Sequence, residues 1–115
     1  MQMIVSDFGD AAKKVTLVGK LDIDGAQKIE VPLAALAGSR SDIVIDMTAV
    51  DFISSIGIRH LVMASKAVTR GTGKLVLLHP SAMVAEVLIT SRLEEILPIV
   101  RSDDEALALF RRAGV

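Results

Sequence analysis

Two consecutive serines, Ser54 and Ser55, are the residues in this sequence most suited to chemistry. They lie between an apolar run, Ile43-Val44-Ile45-Asp46-Met47, and a segment with helical periodicity. The connecting stretch, read as a loop, is Thr48-Ala49-Val50-Asp51-Phe52-Ile53-Ser54-Ser55-Ile56-Gly57-Ile58-Arg59. A hydroxyl at a helix start meets free backbone N–H groups and the positive end of the helix dipole, so a phosphate carried there is held by both. Gly57 leaves out a side chain that would crowd a partner approaching the serine, and Arg59, one turn on, is placed to reach toward an anion. The plainer role for one serine of the pair is an N-cap, which serine fills often.

Other reactive groups are sparse. Asp22 follows a β-rich stretch and reads either as part of the same site or as an ordinary turn residue before a helix. Asp46, at a strand end, reads more simply as an acceptor of loop N–H bonds. A receiver-like phosphoaspartate site would need clustered acids around Mg²⁺, with Asp46 as acceptor and Asp22 and Asp24 as ligands. Ile23 separates those two acids, and Arg101 and Ser102 follow the last strand where a lysine is wanted. A serine hydrolase built on Ser55 with His60 or His79 lacks the Gly-x-Ser-x-Gly elbow, and His60, five residues along the same helix, points elsewhere. With no cysteine, thiolate chemistry and cysteine-based zinc sites drop out. No cofactor or metal is implied.

The elements that position the serines follow from periodicity. Met3 to Asp7 and Lys14 to Leu21 predict a hairpin joined by Phe8-Gly9-Asp10-Ala11-Ala12. The short apolar runs Ile43 to Ile45 and Leu75 to Leu78 predict strands buried on both faces, and Ile96 to Val100, with Pro98, an edge strand. Helical spacing joins Ile58, Leu61, Val62, Ser65 and Val68 until Gly71 and Gly73, and recurs at Met83, Val84, Val87 and Leu88 after Pro80-Ser81. A last helix opens on Ser102-Asp103-Asp104-Glu105, packs Leu107 and Phe110 and closes with Arg111 and Arg112. The first helix is capped by Asp24 with Gln27, and Pro32 predicts a kink there or a start near Val31. The whole predicts one α/β domain over residues 1–115, with about five strands in a mixed sheet, the later ones parallel, and about four helices.

Composition limits the partners. Thirteen Lys and Arg against 14 Asp and Glu give a net charge of −1, and only Phe8, Phe52 and Phe110 are aromatic, so neither phosphate attraction nor base stacking supports nucleic-acid binding. The start lacks the pattern of a signal peptide, and no apolar run reaches the roughly 18 residues of a membrane span. A cytoplasmic protein, monomeric or weakly dimeric, is expected.

Gly19-Lys20-Leu21-Asp22, Ile43-Val44-Ile45-Asp46-Met47 and Val50-Asp51-Phe52-Ile53-Ser54-Ser55-Ile56-Gly57-Ile58 together resemble the landmarks of the STAS domain, found in bacterial anti-sigma factor antagonists and sulfate transporters. The resemblance runs over nearly the whole chain. It implies an anti-sigma factor antagonist that is not an enzyme. Such a protein binds an anti-sigma factor, itself a GHKL-type serine kinase, when unmodified. It is released when that kinase phosphorylates a serine at the helix start, and a serine phosphatase reverses the modification. Matching the family's glycine to Gly57 puts the phosphorylated position at Ser55. The partner-binding set is then Asp22, Ser54, Ser55, Ile56, Gly57, Ile58 and Arg59. The commonest family pattern has aspartate, a small residue and glycine where this chain has Ser54, Ile56 and Arg59. The same resemblance leaves room for an unphosphorylated stressosome-type scaffold or a subunit of a transport complex.

Overall fold

A computed structural model describes residues 1–39 and 41–111; Arg112, read above as closing the last helix, lies outside them. The chain order is β1 (Gln2–Phe8), β2 (Ala12–Leu21), α1 (Ile23–Ala37), β3 (Ile43–Ile53), α2 (Ser55–Arg70), β4 (Leu75–Leu78), α3 (Ala82–Thr90), β5 (Ile99–Val100) and α4 (Asp103–Arg111). The strands form one sheet in the order β1-β2-β3-β4-β5. β1 is antiparallel to β2, and each later neighbour is parallel, as the mixed-sheet expectation required.

Alternation along the strands sends side chains into two cores. Val15, Leu17, Ile43, Ile45, Leu75 and Leu77 face the larger one, which α1 closes with Ile29 and Leu33, α2 with Leu61 and Val68, and α3 with Val84 and Leu88. Val44, Val76 and Leu78 face the other side, where α4 lays Ala106 beside Phe8 and Ala12. The Phe8 and Phe110 rings meet edge to face at 6.2 Å. Lys14 ties the same helix to the sheet, with Asp103 at 3.7 Å, Asp46 at 3.9 Å and the Phe8 ring 6.0 Å below its ammonium. α4 starts on Ser102, whose Oγ accepts from the Glu105 N–H at 3.1 Å, while Glu105 accepts from the Arg101 N–H at 2.7 Å.

Four sequence expectations require correction. The hairpin loop is shorter, because Phe8 pairs with Ala12 and only residues 9–11 turn, with Gly9 at φ 61°. The strand expected over Ile96 to Val100 is only Ile99–Val100; Leu97 is buried, and the Pro98 carbonyl accepts from the Leu77 N–H at 2.8 Å. The first helix starts at Ile23 on Asp22, not on Asp24 or near Val31, and runs through Pro32. Pro32 is exposed and costs about 3 kcal/mol in a helix interior. Burial of Ile29 and Leu33 at about 1.5–3 kcal/mol each, together with the Asp22 cap, offsets that.

The fourth correction matters most for function. Residues 48–53, read as a loop, continue β3 along β2 as far as Leu21↔Ile53. The register slips between Thr16↔Asp46 and Val18↔Ala49, and again between Gly19↔Val50 and Lys20↔Phe52, so β3 carries an extra residue at each place. Its residues in the larger core therefore change from every second position (Ile43, Ile45, Met47) to every third (Val50, Ile53). Asp46 serves the first bulge, accepting from the Thr48 N–H at 3.0 Å and the Thr48 hydroxyl at 2.6 Å, in keeping with its simpler reading.

The hairpin end carries the clearest charge effect. Lys13, 2.6 Å from Asp7, holds that carboxyl below the usual aspartate range by hydrogen bond and charge. A lowered folded-state value means this contribution is present at neutral pH and fades as pH falls through it.

Glycines at two helix ends give opposite predictions. A Cβ on Gly25 would lie 2.1 Å from the Lys20 carbonyl oxygen, whereas on Gly38, at φ −82°, its nearest contact is at 3.7 Å. In urea unfolding, Gly25→Ala is expected to lose at least about 1–3 kcal/mol. Gly38→Ala is expected to be neutral or to gain up to about 1 kcal/mol.

Candidate functional site

The site is built where two helices start against the carboxyl end of β2. Leu21 is fully buried, and its carbonyl receives both the Ser54 N–H and the Ser54 hydroxyl, each at 2.9 Å. The Ser54 Oγ in turn accepts from the Gly57 N–H at 3.2 Å, and the Ser54 carbonyl accepts the first intrahelical bond, from Ile58, at 3.0 Å. Ser54 is thus the N-cap of α2, half-buried, with its hydroxyl used as donor and acceptor at once. At the matching position after β2, Asp22 caps α1, accepting from the Gly25 N–H at 2.8 Å. The plain turn-and-cap role therefore accounts for Asp22 as well as for Ser54.

Ser55 differs from its neighbour. It is the first helical residue, its side chain is exposed, and it makes no side-chain hydrogen bond among the described residues. The N–H groups of Ser55 and Ile56 precede the first intrahelical bond, so this end of α2 keeps its partial positive charge toward solvent. Arg59, four residues on and on the same helical side, is exposed and in no ion pair among the described residues. Ile56 and Ile58 are half-buried.

Gly57 requires a different explanation from the one its sequence position offers. It is buried and faces inward: a Cβ there would stand 2.7 Å from Leu21 Cγ and 2.8 Å from the Leu21 carbonyl oxygen. The missing side chain lets α2 close onto β2; it does not clear a path to Ser55. Leu21 and Gly25 are the members of this junction that sequence reasoning missed. The signal for them is the repeated spacing, a capping residue followed three positions later by glycine, in Asp22…Gly25 and Ser54…Gly57.

The other candidates lie elsewhere. His60 lines a groove of about 160 Å³ between α1 and α2 with Glu30, Leu33, Ala34, Met63 and Ala64, and among the described residues its buried Nδ1 has no hydrogen-bond partner. His79, at φ 52°, is exposed between β4 and α3, its N–H bonded to the Val100 carbonyl at 3.0 Å. Neither histidine hydrogen-bonds Ser55. Among the described residues no three acids or histidines gather as metal ligands, and no helix is long and apolar enough to cross a membrane.

A mixed five-stranded sheet with four helices, and an exposed serine at the mouth of the second, defines a small α/β module. Residues 5–106 match the STAS domain family, and the chain belongs to it. A candidate anti-sigma factor antagonist of Bordetella bronchiseptica, BtrV, is 33% identical over 99 residues, covering 84% of each chain. Among solved structures, an anti-sigma factor antagonist from Mycobacterium paratuberculosis superposes with TM-score 0.84 at 23% identity, covering 96% of this chain and 93% of that one. The unphosphorylated form of the antagonist SpoIIAA gives 0.78 at 20% identity over 99% and 98%, and the phosphorylated form from Bacillus gives 0.71 at 17% identity over 94% and 98%. At these identities the structural likeness is one of fold, and the five strands and four helices expected from the sequence are those of this family.

The two serines are expected to separate in stability measurements. Ser54→Ala removes a cap and a bond to the Leu21 carbonyl and should cost about 1–2 kcal/mol in urea unfolding. Ser55→Ala should stay within about 0.5 kcal/mol of wild type. Equal losses would mean that Ser55 is also structurally engaged.

Proposed function

We propose that this chain is a cytoplasmic anti-sigma factor antagonist, a binding module and not an enzyme, whose partner switch is phosphorylation of Ser55. The observation that carries this reading is the division of work between the serines. The Ser54 hydroxyl is committed to Leu21 and Gly57, while the Ser55 hydroxyl is exposed and uncommitted. Phosphorylating Ser54 would break the cap, whereas a phosphate on Ser55 leaves the junction whole. The family and the 33%-identical relative's name support the antagonist role, and SpoIIAA, a protein of the same fold, occurs in phosphorylated and unphosphorylated forms.

In the unmodified state the surface formed by Asp22, Ser54, Ser55, Ile56, Ile58 and Arg59, with Gly57 buried beneath it and not itself a contact, docks the anti-sigma factor, a GHKL-type serine kinase that delivers the γ-phosphoryl group of ATP to Ser55. The phosphate adds about −1.5 to −2 charge and bulk. It is held locally by the open N–H groups of α2 and by Arg59, so it stays at the interface instead of swinging clear. A partner shaped to the neutral surface must then desolvate a dianion, and the complex dissociates. A serine phosphatase restores the binding form. No rearrangement within the domain is needed, because the charge appears on the docking surface itself.

Incubation with ATP and the cognate kinase, followed by mass spectrometry, should place one phosphate on Ser55. It should persist in Ser54→Ala if that variant folds and vanish in Ser55→Ala. In titrations against the anti-sigma factor, Ser55→Ala should bind within about threefold of wild type, and Ser55→Asp at least about tenfold more weakly, roughly 1.4 kcal/mol. Equal affinities for these two variants would remove charge at Ser55 as the switch.

A further inference from the structure

The two edges of the sheet are built differently. At one, β5 is two residues long and is preceded by Pro98, an edge protected from pairing. At the other, β1 runs seven residues without proline, in unbroken register with β2 from Gln2↔Val18 to Phe8↔Ala12. Its one charged residue, Asp7, is at the far end and engaged by Lys13. Residues 2–6 carry no charge and no bulge, and two large apolar side chains, Ile4 at 53% and Val5 at 48%, stand exposed on opposite faces. A long, regular, uncharged edge is a template for another strand.

From this edge we infer that β1 pairs with β1 of a second copy of the chain, antiparallel about a two-fold axis through Ile4, joining two sheets into one. The strand's own pattern selects this occupant and register. Because β1 is hydrogen-bonded to β2, only alternate residues turn N–H and C=O toward the free edge. Two identical strands related by a two-fold must oppose residues of the same class, so the axis passes through a residue, not between two. Through Ile4, it sets Ile4 against its counterpart on one face, Met3 against Val5 of the second copy on the other, and Gln2 against Ser6. Met3 already packs on the larger core, so the Met3 and Val5 contacts extend that core across the axis. Moved to Val5, the axis would oppose Met3 to the Asp7 carboxylate and Ile4 to Ser6, and moved to Met3 it would oppose Ile4 to Gln2, so each sets an apolar side chain against a polar one. Such an interface is isologous and closes on itself as a dimer. It does not involve Ser54 or Ser55, which follow β3, two strands away.

Sedimentation velocity of the full chain, from micromolar to near-millimolar concentration, tests this directly. Wild type should move toward twice the monomer mass as concentration rises. Ile4→Lys places two ammonium groups face to face at the axis and should stay monomeric with an unchanged thermal midpoint, since the Ile4 side chain is half exposed. Amide exchange of residues 2–6 should slow as the dimer forms, at alternate positions, and return to monomer rates on dilution. A wild type that remains monomeric throughout overturns the proposal, including the case in which a strand from a different protein protects the β1 amides. A dimer that survives Ile4→Lys, or forms without protecting residues 2–6, overturns it equally.

Discussion

The structure depends on the carboxyl end of β2. The Leu21 carbonyl takes two hydrogen bonds from Ser54 while the Leu21 side chain is buried between the sheet and the helices. Both α1 and α2 begin against this point, and each presents a glycine where a Cβ would strike the β2 backbone or the Leu21 side chain. Each start also has a side-chain cap that satisfies the N–H of the same glycine. The close approach and the cap are therefore one device used twice. It sets the position of the α2 N-terminus to within the tolerance of a packed core.

That precision bears on the serine. Ser54 is drawn inward by Leu21, so the next residue, Ser55, emerges at the surface on the first turn of a helix that cannot easily shift. A phosphate placed there, as proposed, would change charge without changing shape. The two β3 bulges serve the same end. They carry β3 past the last residue of β4, which stops at Leu78 opposite Asp46, and deliver Ile53 and Ser54 beside Leu21 with the core-facing residues respaced from two to three. Without the first extra residue, Val50 would turn away from α1 and α2, and the second returns the strand to its original parity at Ile53.

The departures from the commonest family pattern acquire physical meaning here. Ser54 stands where an aspartate is usual, and as a neutral cap it adds no negative charge beside Ser55 while giving a donor to the Leu21 carbonyl that an ionised carboxylate lacks. Arg59 stands where a glycine is often found, exposed and four residues from Ser55. Both substitutions make the surroundings of Ser55 more accommodating to an anion than an aspartate and a glycine would.

The amino-acid sequence alone determined the class of fold, the antiparallel hairpin, the parallel buried strands Ile43 to Ile45 and Leu75 to Leu78, and the amphipathic helices. These rest on local periodicity, which burial on one or both faces imposes directly. It also brought attention to Ser54 and Ser55, because caps are local chemistry. The direction of the Gly57 face, the length of β3 and the passage of α1 through Pro32 were decided by the tertiary structure. A glycine's purpose depends on which surface it meets, a bulged strand hides its period by changing it, and a proline's local cost is outweighed only by burial that the sequence does not display. Which serine is bound and which is free was decided in the same way, by the Leu21 carbonyl, a backbone atom 33 residues away that no side-chain pattern announces.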